Sequence, residues 1–266
     1  MSVPTGSLAV LALAFAASAA AEDLTIVAKV TRDGGAPATA TSYLSSDHVR
    51  LVMGDGNEMI SDLKTGDVTM IDHKKRQYFV VTRQDMDQVK ARMQQAMDSP
   101  EMKRAQEQMK SLPPDVQKKM QAAMGGLSAS VSVQKAGTTR KIAGYSCENW
   151  TVAFGTISKS EECLTTELPL PAPVWQSYQD FTTRMRGMTA AMGPMGKMVT
   201  ELQEKTRDMK GFPLSKTTTA SFMGRSTTST VEVTDVKKGP VPASAWDVPS
   251  GYAKVANPLL KGSTGM

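Results

Sequence analysis

The sequence predicts an α+β fold in which methionine-rich amphipathic helices cover an antiparallel sheet. Three observations predict it. Between Asp23 and Thr82 apolar residues alternate with polar ones, the two-residue period of half-buried strands. The period then lengthens to three and four over two methionine-rich stretches, near residues 84–126 and 173–209, as amphipathic helices require. Alternation returns between Lys141 and Phe154, where Glu148, Trp150, Val152 and Phe154 share one nearly apolar face and Cys147, Asn149, Thr151 and Ala153 share the other.

Taken in order, residues 1–21 contain the apolar run Leu8 to Ala17 followed by Ser18-Ala19-Ala20-Ala21. This pattern predicts a signal peptide cleaved near Ala21, although no Lys or Arg precedes the run. The run is short for a membrane span. No cysteine follows at the cleavage region to carry a lipid, so the expectation is a soluble periplasmic or secreted protein.

Residues 22–257 are then expected to form one domain. Leu24, Ile26, Ala28 and Val30 alternate against Thr25, Val27 and Lys29. Turn-forming clusters at Asp33-Gly34-Gly35, Gly54-Asp55-Gly56-Asn57, Lys64-Thr65-Gly66-Asp67 and His73-Lys74-Lys75 separate further strands at His48 to Met53, Glu58 to Leu63, Val68 to Asp72 and Gln77 to Thr82. A meander in one antiparallel sheet follows.

In the first helical insertion Met86, Val89, Met93 and Met97, then Met102, Ala105, Met109 and Leu112, then Val116, Met120, Met124 and Leu127 recur at helical spacing. Pro100 and Pro113-Pro114 punctuate it into two or three short helices. Strands resume from Ser128 to Gln134 and continue through the Gly144-Tyr145 turn. Gly155 lies midway between Cys147 and Cys163, so a hairpin turning there would set the two thiols opposite each other. Export favours their pairing, and a disulfide closing such a loop contributes about 3 kcal/mol in the chain-entropy model.

The second insertion places Val174, Tyr178, Phe181, Met185, Met188, Met192, Met195, Val199 and Leu202 on a heptad-like seam. Gly193-Pro194 interrupts it, which favours a helical hairpin folded onto the sheet over a continuous coiled coil. A threonine-rich hairpin then flanks Met223-Gly224-Arg225. Residues 258–266 read as a flexible tail.

Three local signatures carry a resemblance. They are Met59 to Gly66 with Ile71 to Tyr78, Lys141 to Cys147, and Trp246-Asp247-Val248-Pro249-Ser250-Gly251-Tyr252. Their order is similar to that of exported bacterial proteins of unknown function related to periplasmic lipoprotein carriers of the LolA/LolB type. The resemblance implies a curved antiparallel β half-barrel, covered by helices, around an apolar cavity for acyl chains. It carries over no catalytic residue.

The residues themselves point toward apolar binding. Methionine is unbranched and polarizable, so methionine-rich helices repack around irregular apolar shapes. The expected site has Trp150, Val152 and Phe154 as its floor and Met93, Met97, Met120, Met124, Met185, Met188 and Met192 in its cover. Plain core packing is the competing account of each methionine. The expected occupant is an acyl chain or lipoprotein, with transient contact to a membrane or acceptor protein and no cofactor.

Other classes fit less well. Thioethers at Met185, Met188, Met192, Met195 and Met198 suit copper(I), but His48 and His73 lie in the meander, where solvent-facing roles are expected, and the cysteines are expected to pair; no metal site is assigned. Nucleophile-elbow, zinc-protease and phosphate-loop motifs are all missing, and Glu161-Glu162 and Asp85 with Asp87 read as solvated acids, so no enzyme is predicted. The net charge of +5 is modest and His73-Lys74-Lys75-Arg76 lacks interleaved aromatics, which argues against nucleic acid. A partner-binding envelope protein using the heptad seam is the main alternative to a monomeric carrier.

Overall fold

The computed structural model describes residues 23–111, 113, 115–116, 131–155, 157–176, 201–202, 204–222 and 225–260. Six strands form the first meander: β1 (Leu24–Arg32), β2 (Ala38–Leu44), β3 (His48–Val52), β4 (Asn57–Asp62), β5 (Val68–Asp72) and β6 (Gln77–Val81). Helices α1 (Arg83–Asp98) and α2 (Pro100–Ser111) follow. The sheet resumes with β7 (Val131–Ile142), β8 (Tyr145–Phe154), β9 (Ser158–Thr165), β10 (Phe212–Phe222) and β11 (Arg225–Lys238), and ends with the two-residue β12 (Ala253–Lys254).

All twelve strands among the described residues belong to one sheet, ordered β12-β6-β5-β4-β3-β2-β1-β11-β10-β9-β8-β7. Every pairing is antiparallel except that of β12 with β6. The second meander returns to the first, because β11 pairs with β1 and leaves the N-terminal strand in mid-sheet. β7 and β12 lie at opposite edges, so the sheet is unclosed. Its curvature has local causes: the register slips at Val27/Ala28, Pro213/Ser215 and Lys135/Thr139, and bulges of this kind bend a strand and increase its twist.

Two strands escape the alternation pattern. β2 is built of Ala, Thr and Ser up to Tyr43, with too little apolar contrast to mark a face; it is held instead by ladders to β1 and β3. β12 is exposed, and its neighbourhood is joined to β6 by backbone bonds from Ala253 N to Arg76 O (3.0 Å) and Val255 N to Tyr78 O (2.8 Å).

The core forms where the two meanders meet. Leu24, Ile26 and Ala28 alternate inward along β1, and Leu24 and Ile26 pack in one cluster with Leu44, Leu214, Val233, Leu168, Cys147 and Cys163. The cysteines form a disulfide with Cα atoms 5.3 Å apart. They are not directly opposite, however. Phe154 pairs with Ser158, so a three-residue loop shifts the hairpin centre past Gly155, and Cys163 faces Asn149. Cys147 is the next residue along the same face, and the bridge runs diagonally.

Helix α1 starts at a reciprocal cap. Thr82 Oγ1 accepts from Asp85 N–H (3.1 Å), and the Asp85 carboxylate accepts from Thr82 N–H (2.9 Å). Asp85 is thus a capping residue rather than a merely solvated acid. No described helix is long and apolar enough to cross a membrane.

Candidate ligand-binding face

Strand register assigns the expected floor residues to one face. Trp150 stands between Lys135 and Glu162, Val152 between Val133 and Ser160, and Phe154 between Val131 and Ser158. Val131 and Val152 are buried, while Trp150 and Phe154 are half-buried. At about 3.3 Å per residue, the strip from Trp150 to Phe154 runs about 13 Å along β8.

The same face continues across the sheet. From Trp150 it passes through Glu162, Lys216 and Val231 to Val30, which shares its side of β1 with Ile26. From Ile26 it runs through Ser42 to Leu51, Met59, Met70 and Phe79. These last four are all half-buried and form a second apolar strip, separated from the first by Ser- and Thr-bearing strands such as β10. The sequence reading omitted this strip. Alternation marks each of the four as a strand residue, but only the register between strands shows that they share a side with Trp150.

Of the expected cover, Met93 and Met97 belong to α1, and their side chains lie outside the described residues. Met120, Met124, Met185, Met188 and Met192 lie outside them altogether. Among the described residues, no group of three or more His, Cys, Asp or Glu side chains is arranged to hold a metal.

The Trp150 end of the first strip is charged on both signs. Lys135 Nζ is 2.8 Å from Glu148 Oε1 and 5.8 Å from the centre of the Trp150 ring, a cation–π approach. On the other side Lys216 Nζ is 2.7 Å from Glu162 Oε1, and the Glu162 side chain is only 13% exposed.

The opposite face of β3–β5 is closed by the C-terminal segment. Buried Arg50 donates from Nε to Glu58 Oε2 (2.8 Å), pairs with the same oxygen through Nη2, and donates from Nη1 to Ala245 O (2.7 Å) and Asp247 O (3.2 Å). His73 Nε2 is 2.6 Å from Glu58 Oε1, and its Nδ1 is 2.6 Å from the Tyr252 hydroxyl. The Nε2 approach to Glu58 is close but lacks hydrogen-bond geometry, whereas Nδ1 shares a hydrogen bond with the Tyr252 hydroxyl. His48 stacks on Trp246 with ring centres 5.2 Å apart. Both histidines therefore hold the C-terminal segment instead of facing solvent.

That segment also reaches α1. Asn257 Nδ2 donates to Asp85 Oδ2 (3.1 Å), and Arg92 Nη1 donates to the carbonyl of Leu260, in the 3-10 turn Pro258–Leu260. The Thr82 N–H bond holds the Asp85 carboxyl below its ordinary 3.8, against a smaller opposing effect of burial, and the Asn257 amide adds to the lowering.

PNGF-II is 12% identical with a TM-score of 0.38, over 88% of this chain and 30% of that one. MucB in the Pseudomonas aeruginosa MucA/MucB complex is 11% identical with a TM-score of 0.37, over 87% and 56%. A LolA superfamily protein from Nitrosomonas europaea is 8% identical with a TM-score of 0.16, over 85% and 89%. The chain thus spans about a third of the first of these structures and about half of the second. No curated protein matches the sequence. The model of a domain of unknown function, DUF4412, matches residues 86–252, more than half of the chain, and the protein belongs to that family.

Proposed function

We propose that the protein is an exported, non-catalytic binding protein that holds the acyl chain of a lipid or lipoprotein against the Trp150–Val152–Phe154 face. The observation that carries this reading is the register, which sets two apolar strips of buried and half-buried residues on one side of an unclosed sheet. An acyl chain laid on such a face leaves water along its length, and each buried methylene contributes about 0.8 kcal/mol. In this proposal the methionine-rich segments adapt to the shape of the bound chain, because methionine is unbranched and polarizable.

The test is native mass spectrometry of full-length protein purified without detergent from cells that export it, followed by organic extraction. A discrete lipid or lipidated peptide at near-unit stoichiometry is the expected result. A clean apo protein that also rejects added fatty acids and lysolipids would sink the proposal and favour partner binding through the helices. Stoichiometric copper would instead promote methionine-based metal binding.

A further inference from the structure

Resting on that reading for its choice of membrane over protein, we infer that the hairpin turns at one end of the sheet form a basic rim that docks on an anionic lipid bilayer. Strand order sets the β1–β2, β3–β4, β5–β6, β8–β9 and β10–β11 turns at the same end. Three cations there are closed by carboxylates: Arg32 Nη2 is 3.7 Å from Asp55, Lys75 Nζ 3.4 Å from Asp72 and Lys159 Nζ 2.6 Å from Glu161. The Lys205–Glu201 pair, whose ammonium donates to the Val131 carbonyl at this end, is closed as well. Four exposed cations, Lys74, Arg76, Arg225 and Lys254, have no carboxylate partner among the described residues. Arg76 lies over the Tyr252 ring and keeps its charge. Asp33 and Glu204 are the carboxylates left over, and Asp33 already accepts from Thr228 N–H (2.6 Å). The turns at the opposite end have the reverse balance. Between β2 and β3 and between β4 and β5 stand Asp47, Asp62 and Asp67, with Lys64 bound to Asp47 (2.9 Å) and Arg83 reaching the carbonyl of Lys64.

The spread of these charges selects an extended partner. Lys254 on β12 and Arg225 on β11 are seven strand spacings apart, about 34 Å along the sheet. Salt screens charge over about 8 Å at physiological ionic strength, so a small anion at one of them does not feel the other. A surface of anionic headgroups meets both, and exposed lysines and arginines add their attractions to it one by one. The apolar strip ends on the same rim. Phe154 is the last residue of β8, and it and Ile157 flank the β8–β9 turn half-buried. A chain held along β8 therefore has one end at the face of the protein that the bilayer attracts, which suits uptake from a membrane or release to one.

The experiment measures co-sedimentation of the protein, purified without detergent from cells that export it, with vesicles of phosphatidylcholine alone or mixed with about one-third phosphatidylglycerol. Tighter binding to the anionic vesicles, weakened by salt, is expected. Lys74→Glu with Arg225→Glu and Lys254→Glu is expected to weaken that binding roughly tenfold or more. Lys141→Glu with Lys210→Glu and Lys238→Glu makes the same change in net charge at exposed positions of the opposite end, and is expected to leave binding within about twofold of the wild type. Equal losses in the two variants, or no preference for anionic vesicles, overturns the rim. Capture of soluble polyglutamate through Lys74, Arg225 and Lys254 without vesicle binding would assign the rim to an acidic protein and overturn the membrane assignment. Fatty-acid binding by the same samples separates this inference from the proposed function. A protein that binds fatty acid but not anionic vesicles loses the rim and keeps the apolar site, whereas one that docks and binds no fatty acid keeps the rim and loses the proposed function.

Discussion

Arg50 and Glu58 show how a side chain far from the candidate face stabilises the architecture that carries it. The pair is buried, and His73 also approaches Glu58, so removing the Glu58 charge leaves the Arg50 guanidinium buried without its counter-ion. Glu58→Gln is expected to lower stability by about 3 kcal/mol in urea unfolding at neutral pH, whereas a double replacement of Arg50 and Glu58 by Met costs less because no lone charge remains. A single Glu58 variant no more sensitive to urea than the wild type would show that the network does not hold the C-terminal segment. None of these contacts was legible in the sequence. Arg50 and Glu58 stand at alternating strand positions otherwise occupied by residues such as Ile60 and Ile71, and the backbone partners of Arg50 lie almost two hundred residues away at Ala245 and Asp247. Trp150, Val152 and Phe154 were legible as one face because a two-residue period needs only local sequence, while their neighbours Lys135, Glu162 and Lys216 required the register.

At the scale of elements, the β8–β9 hairpin and the start of α1 make separate predictions. The disulfide closes a loop with a sequence separation of 16 between two buried cysteines, and Cys147→Ala with Cys163→Ala is expected to cost about 3 kcal/mol of unfolding free energy. An unchanged denaturation midpoint would contradict the stabilising role. For α1, Thr82→Ala removes one half of the reciprocal cap and is expected to cost about 1 kcal/mol, read by thermal melting monitored at a helical wavelength. The same cap gives a pH dependence of definite sign. Because the folded carboxyl of Asp85 titrates below 3.8, its contribution is complete above that value and is lost as pH falls through the folded pKa. Asp85→Ala is therefore expected to flatten part of the acid limb of the stability profile without altering its neutral-to-alkaline course. A variant with the wild-type acid limb would remove Asp85 from the linkage. The hairpin was legible because its turn chemistry and cysteines are local. Its exact pairing was not, since a three-residue loop and a symmetric turn at Gly155 look alike in sequence and differ only in which residue Cys163 faces.

At the scale of the whole molecule, topology explains why the first meander cannot be treated as an appendage. The family match begins within α1 and ends at Tyr252, yet β1 lies between β2 and β11, and Tyr252 itself docks on His73. The matched segment and the N-terminal meander share one sheet and one core, so the face formed by Trp150 and the strip of Leu51, Met59, Met70 and Phe79 exists only when both are present. A chain cut before Arg83 is accordingly expected to lose cooperative unfolding. The antiparallel, helix-bearing character of the fold was legible from its periods. The return of β11 to β1 was not, because pairing across two hundred residues leaves no local trace. The central claim, that an acyl chain lies on the Trp150 face, is tested most directly by the fluorescence of wild-type protein and Trp150→Phe titrated with a fatty acid brominated along its chain. The account predicts quenching in the wild type that is largely lost in the variant, while both bind the ligand. Equal quenching in the two proteins, or bound ligand with no quenching in either, would place the chain elsewhere and contradict it.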